Sequence, residues 1–353
     1  MRPAMRRLLA VAAGAATLLA GGVAFPCGGS FGANVAVNPQ QDIIVVWKDG
    51  VETYVFQPIF CGTATDFGLI LPVPAPLAQN PSLTAQQAFT TVAALAAPTK
   101  VAVEEHNGIG CGSGRSESAN GGASNDTTTV VASGQVGFLD WVQLKADTPS
   151  SFTDWLTTNK YLYSTSAASV FTYYVQKGWY FLAFRINQEA APGGATICKA
   201  LGPVEFSFPT SVPVVPTRMA TAGSTMPTSS SSRFSWRIFG ITHGDVQLGT
   251  QGASGYTLGY SGAIGATDVP ALAGLAEAGD RLTRLMVSFS YGSTDPDVTL
   301  GTSAPSDYRD KEYVTIHNDA VCSVSRTARS LHSFLLPLFG LALAGLVCWR
   351  RWR

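Results

Sequence analysis

Among residues that could do chemistry, the run His106-Asn107-Gly108-Ile109-Gly110-Cys111-Gly112-Ser113-Gly114 stands out. A thiol nucleophile needs a neighbouring base and backbone donors, and glycines let a backbone approach a substrate closely. Cys111, with a histidine from elsewhere in the chain, is therefore the candidate centre of a thiol enzyme or hydrolase. The plainer account is a glycine-rich loop pinned by a disulfide, and this is the expectation taken. The glycines form no phosphate loop, because no Lys-Ser or Lys-Thr follows them.

Other chemistry-bearing groups assemble less well. The four histidines, His106, His243, His317 and His332, fall in no H-x-x-x-H, H-E-x-x-H or cysteine-spaced metal pattern and read as exposed bystanders. Asp295-Pro296-Asp297 offers oxygens to Ca²⁺, yet a calcium loop needs more ligands at fixed spacing, so a polar turn is expected. Asp140, Asp147 and Asp154 are spread over a strand, a loop and a helix, so they form no catalytic pair. Trp155, Tyr161, Tyr163, Tyr173, Tyr174, Trp179 and Tyr180 have the chemistry of a ligand groove on which carbohydrates or peptides stack, with core packing as the default. No cofactor and no metal are expected, and a non-enzymatic role is favoured.

The elements that must position these groups centre on residues 151–187. Phe152, Trp155 and Leu156 follow helical spacing, with Ser151 and Asp154 spaced as a capping box. Val170, Phe171, Tyr174 and Val175 form a second helical stripe that Gly178 is placed to end. Trp179 to Ile186 then reads as a strand buried on both faces. Upstream, Ile43–Trp47 and Val51–Phe60 flank Asp49-Gly50, the preferred two-residue hairpin turn. Phe67–Leu71, Thr127–Phe138, Val204–Phe208, Phe234–Phe239 and Leu285–Tyr291 read as further strands. A helix is expected over 82–97, opened by Pro81, and a short one over 271–282. The fold class is α+β: a mainly antiparallel β-sheet body with about three packed helices, plus one C-terminal transmembrane helix.

The chain has 353 residues, of which 13% are charged, with 36 Gly and 20 Pro, as suits a turn-rich β body. Its formal net charge of zero hides a bias. Arg2, Arg6 and Arg7 precede the first apolar run, and Arg350, Arg351 and Arg353 follow the last. The body between keeps 17 basic against 23 acidic residues, a net of −6. That balance, with no nucleic-acid motif, argues against nucleic-acid binding.

Residues 1–24 read as a secretory signal, with a basic start, an apolar run, and cleavage after Ala24. Leu331 to Trp349 is apolar apart from His332 and Ser333, and as a helix would span roughly 28 Å, about the hydrocarbon thickness. Arg350, Arg351 and Arg353 then supply the positive-inside charges. The expected plan is an extracytoplasmic domain over 25–295, a stalk over 296–330, a transmembrane helix over 331–349 and a basic cytoplasmic tail over 350–353. The partners expected are the membrane, through that helix, and an envelope protein or surface glycan.

Of six cysteines, Cys348 lies in the apolar tail, which leaves Cys27, Cys61, Cys111, Cys198 and Cys322 outside the cytoplasm. Two disulfides and a spare thiol are the simplest outcome in an oxidising compartment. Cys27–Cys61 and Cys111–Cys198 are the expected pairs, although spacing alone does not define connectivity.

Several pieces in order resemble one bacterial family. They are Pro26-Cys27-Gly28-Gly29, the 43–60 hairpin, Asp66-Phe67-Gly68 before Leu71-Pro72-Val73-Pro74, and Asp154-Trp155-Leu156. Gly178-Trp179-Tyr180-Phe181, Gly202-Pro203-Val204-Glu205-Phe206-Ser207-Phe208 and Thr283-Arg284-Leu285 complete the series. Over about residues 25–300 the chain is similar to the bacterial secreted or membrane-anchored proteins of domain of unknown function 2330. The resemblance implies a single extracytoplasmic body domain and supplies no activity and no catalytic residue. The tail separately resembles a bacterial tripartite sorting tag, so a retained anchor and a processed tag are both expected forms. The function expected is that of an exported, membrane-anchored envelope protein with a binding or surface-structural ectodomain. The alternatives are the Cys111 enzyme and a subunit of an envelope complex.

Overall fold

The computed structural model describes residues 29–30, 40–62, 68–103, 127–163, 167–187, 197–222, 233–243, 247–250, 256–290, 297–304 and 306–315. All of these except Val103 and Thr315 belong to one compact unit.

The chain opens with β1 (Gly29–Ser30), β2 (Gln40–Lys48), β3 (Val51–Phe56), β4 (Ile59–Gly62), β5 (Gly68–Val73), β6 (Gln79–Leu83), α1 (Gln87–Leu95) and β7 (Thr99–Val103). The middle holds β8 (Thr128–Val136), β9 (Leu139–Ala146), α2 (Pro149–Thr158), α3 (Ala167–Gln176), β10 (Tyr180–Ile186), β11 (Ile197–Ala200), β12 (Val204–Pro209) and β13 (Val214–Val215). It ends with β14 (Arg233–Thr242), β15 (Gln247–Thr250), β16 (Tyr256–Ala263), β17 (Arg281–Ser290), β18 (Val298–Ser303), β19 (Tyr308–Arg309) and β20 (Lys311–Thr315). The body is α+β and rich in antiparallel strands, with three α-helices among the described residues.

Two large sheets form the frame, one ordered β1-β5-β10-β9-β8 and the other β19-β16-β17-β14-β2-β3-β12-β6. Their ladders are antiparallel except for β2 against β14. Alternation along each strand sends one set of residues between the sheets. Leu69, Leu71, Trp141, Leu182 and Phe184 from the smaller sheet meet Ile43, Val45, Tyr54, Phe56, Phe206 and Trp236 from the larger. The outer face of the smaller sheet packs Ile70, Leu144, Phe181 and Ala183 against α2 and α3. The outer face of the larger sheet packs Ile44, Val55, Phe239 and Ile241 against α1 and a 3₁₀ turn at Val269–Leu272. The layers therefore run helix, sheet, sheet, helix.

That layering explains why β10 is apolar on both sides. Leu182 and Phe184 face the other sheet, whereas Phe181 and Ala183 face the helices. Phe152 of α2 stacks on Phe181 at 3.9 Å and meets Phe171 of α3 edge-on at 5.1 Å. Burying an aromatic side chain of this size stabilises by about 1.5–3 kcal/mol. Gly178 ends the α3 segment with a left-handed φ of 69°, as its position predicts.

Four local expectations shift. The helix expected from Ser82 begins at Gln87, because Pro81 lies in β6, which among the described residues pairs with β12 alone. At a sheet edge the missing proline N–H costs no ladder bond. The second helix starts earlier, with Thr148 as N-cap, Pro149 in its first turn, and Ser151 and Thr148 capping each other. The short helix expected over 271–282 is a 3₁₀ turn followed by Ala273, Gly274 and Gly279 at positive φ, and β17 already begins at Arg281. The segment expected to be a stalk carries β18, β19 and β20, with β18 paired to β13 and β15. Its remainder from 316 lies outside the described residues, as do the signal segment 1–24 and the apolar tail 331–349. Among the described residues no helix is long and apolar enough to cross a membrane.

Candidate functional site

The hairpin β2–β3 turns at Asp49 and Gly50, both at positive φ (54° and 76°), the geometry that Asp-Gly favours. The turn sets Lys48 opposite Val51 and Val46 opposite Thr53. Next along the sheet, β12 sets Ser207 opposite Thr53, and their hydroxyls lie 2.8 Å apart. On the other side of β2, the parallel strand β14 ends at Thr242 opposite Trp47, which brings His243 alongside. At this end of the larger sheet the outer face turns polar where α1 no longer covers it.

A loop from Ala273 to Asp280 closes over that polar end. Asp280 is buried and orders the loop: its Oδ2 accepts the Glu277 backbone N–H at 2.7 Å. Its main-chain oxygen accepts from Ile264 N at 2.7 Å. The other carboxylate oxygen, Oδ1, lies 2.7 Å from His243 Nδ1. Between loop and sheet lies a cleft of about 540 Å³, lined by Lys48, Thr53, Gln79, Glu205, Ser207 and His243 among others.

The electrostatics are paired. Lys48 Nζ donates to Glu277 Oε1 at 3.1 Å. Their hydrogen bond and mutual charge push the lysine pKa up and hold the Glu277 carboxyl below its usual value, with His243 adding to the second effect. Both side chains are well exposed (47% and 65%), so water screens the pair and it adds little stability. Asp280 occupies His243 Nδ1, which leaves Nε2 as the ring nitrogen able to act on a ligand. The Ser207 hydroxyl is engaged by Thr53. The arrangement suits a polar ligand that both donates and accepts hydrogen bonds.

A second polar cluster lies between α3 and β18. Asp297 is buried, accepts from the Tyr174 hydroxyl at 2.5 Å and from Arg218 N at 3.2 Å, and has Lys177 Nζ 3.9 Å away. Burial raises its carboxyl pKa, and burial beside that acid raises the Tyr174 pKa. Asp297 is thus an internal brace instead of the exposed polar turn expected; Asp295 and Pro296 lie outside the described residues. Glu52 is also buried, on β3 between the sheets, and burial lifts its carboxyl well above the usual range.

The remaining expected groups scatter. Cys27, Cys111, Cys322, His106, His317 and the membrane-anchor residues Leu331, Trp349, Arg350, Arg351 and Arg353 lie outside the described residues, as does Ala24. Cys61 and Cys198 stand directly opposite each other in the β4–β11 ladder. Asp140, in β9, accepts from Asn187 at 2.9 Å, while Asp154 is exposed on α2, so the three aspartates do not gather. The seven aromatics pack around α2, α3 and β10, with the Tyr173 ring between the Lys177 and Arg218 cations at 4.3 and 4.2 Å. Among the described residues no group of three or more His, Cys, Asp or Glu is placed to hold a metal ion.

The sequence reading takes His243 for an exposed bystander, whereas the fold pairs it with Asp280. Asp280, Glu277, Lys48, Thr53, Glu205 and Ser207 come from four separate segments, and no local spacing joins them. A family model described as an uncharacterized protein conserved in bacteria (DUF2330) matches residues 22–301. No curated protein and no solved structure matches the chain.

Proposed function

The chain belongs to this bacterial family, and on that premise we propose that it is an exported, membrane-anchored envelope protein whose ectodomain binds a polar ligand in the His243 cleft. The observation that carries the binding role is the pairing inside the cleft: His243 with Asp280, Lys48 with Glu277, Ser207 with Thr53. Groups matched in this way present oriented donors and acceptors, and the Glu205 carboxylate, which accepts from the Ser82 hydroxyl, adds a further acceptor, as suits a hydroxyl-rich surface glycan or a polar segment of another envelope protein. Export is supported by the basic and apolar start with small residues up to Ala24. Anchoring is supported by the apolar run Leu331–Trp349 followed by Arg350, Arg351 and Arg353.

Two measurements test this reading. Intact mass of the protein from its own envelope should begin at Phe25 and end at Arg353. A chain lacking the tail would make the helix a processed tag, and a chain starting at Met1 would end the export reading. For the cleft, NMR of the purified ectodomain titrated with cell-wall glycan fragments should move the His243 ring and Lys48 Nζ signals together. If neither moves and a stoichiometric protein co-purifies from detergent, the ectodomain is a subunit of an envelope complex.

A further inference from the structure

We infer that Cys61 and Cys198 form a disulfide, a pairing different from the one their order along the chain suggests. The strands β4 and β11 run antiparallel with Cys61 and Cys198 as direct register partners, flanked by Gly62 opposite Ile197 and Phe60 opposite Lys199. Such opposed residues share a face of the ladder.

The type of rung matters. Leu201 N donates to Pro58 O at 2.7 Å, one step beyond the Ala200–Ile59 pair. That makes Leu201–Pro58 a hydrogen-bonded rung. Hydrogen-bonded and non-hydrogen-bonded rungs alternate in an antiparallel ladder, so Cys198–Cys61, three steps on, is a non-hydrogen-bonded rung. Cα atoms in such rungs lie about 4.5 Å apart. A disulfide needs a Cα separation of roughly 4.4–6.8 Å, so this backbone accepts the link without rearrangement.

The position also gives the link a job. The β4–β11 pair prolongs the β3–β12 ladder past Pro58 and Pro203. A covalent tie there holds together two segments that are far apart in sequence. In the reaction each thiol loses its proton and a sulfur–sulfur bond forms. The two electrons and two protons pass to a disulfide-bearing oxidant of the extracytoplasmic space, whose own sulfur–sulfur bond opens to two thiols. In the cell this rests on the proposed export, since a reducing cytoplasm would keep both thiols free.

The test uses the full-length protein from its own envelope, denatured with iodoacetamide, digested with trypsin without reduction, and mapped by mass. Cleavage after lysine and arginine places Cys61 in residues 49–100 and Cys198 in residues 186–199, each with no other cysteine. The expected product is one species joining these two peptides that separates on reduction. Either peptide joined to one carrying Cys27 or Cys111, or both alkylated in a chain starting at Phe25, overturns the pairing. A chain starting at Met1 with both thiols alkylated instead removes the export reading. The pairing is then decided by treating the folded, purified chain with oxidised glutathione: the same linked species upholds it, and its failure to form overturns it.

Discussion

The Tyr174 hydroxyl, on α3, donates a 2.5 Å hydrogen bond to Asp297 at the start of β18. The bond joins the helical layer to a strand 123 residues further on, and with Arg218 N it satisfies one oxygen of a carboxylate that burial would otherwise penalise. Replacing Tyr174 by Phe keeps the ring but deletes the donor. Leaving a buried acceptor short of a partner costs about 1–3 kcal/mol. Urea unfolding of Tyr174→Phe at neutral pH should show a loss of that size, and the Asp297 carboxyl pKa should rise further. An unchanged midpoint would mean that the bond adds nothing.

Glu52 makes stability depend on pH. Burial raises its folded pKa well above the ordinary 4.5, against which the hydrogen bond from Val214 N is a smaller, opposing effect. The folded chain therefore holds this proton more tightly than the unfolded chain does. Stability is greatest below the unfolded pKa and falls as pH rises through the window up to the folded pKa. Asp297, raised from 3.8, acts in the same direction. The share of stability that Glu52 and Asp297 contribute, read from thermal midpoints, should fall as pH rises above 4.5. Glu52→Gln should flatten that fall, so its advantage over the wild type grows with pH. A difference independent of pH would refute the assignment.

Gly259 shows how one side chain dictates another residue's identity. It sits at the register shift in β16 between Leu258 and Tyr260, and the buried Arg284 guanidinium occupies the space a Cβ would need. Arg284 there donates to Gly259 O at 3.2 Å and to Asp310 at 2.6 Å. Gly259→Ala must displace that guanidinium. Weakening a largely buried, charge-assisted bond of this kind costs roughly 1.5–3 kcal/mol. A midpoint change no larger than that of Gly274→Ala, whose Cβ meets no neighbour but whose φ is strained, would exclude the mechanism.

Lys48 separates charge from stability. Without its ammonium the Glu277 carboxyl loses its main stabilising partner. In Lys48→Met the Glu277 side-chain titration, followed by carbon NMR, should move upward while the thermal midpoint stays in place. A large midpoint loss would show that the exposed pair holds the loop over the cleft.

Much of the frame was legible in the chain. Asp49-Gly50 permits the left-handed turn that a hairpin needs, Gly178 ends its helix for the same reason, and the unbroken apolar run of β10 announces burial on both faces. Each is a property of consecutive residues. Where a neighbour decides, local pattern misled. Pro81 fits a helix start equally well, and only its place at the sheet edge beside β12 makes it a strand residue. Asp297 reads as a surface turn until Tyr174 and Arg218 close around it.

The candidate site belongs to the second kind. Composition and spacing alone determined the α+β class, the central hairpin, the doubly buried strand and the order of motifs that marks the family. Only the tertiary structure decided that His243 meets Asp280, that Lys48 meets Glu277 and that Cys61 faces Cys198. Periodicity and turn chemistry act over a few residues, whereas strand order and ladder register are set by the fit of whole faces, and these bring distant side chains together.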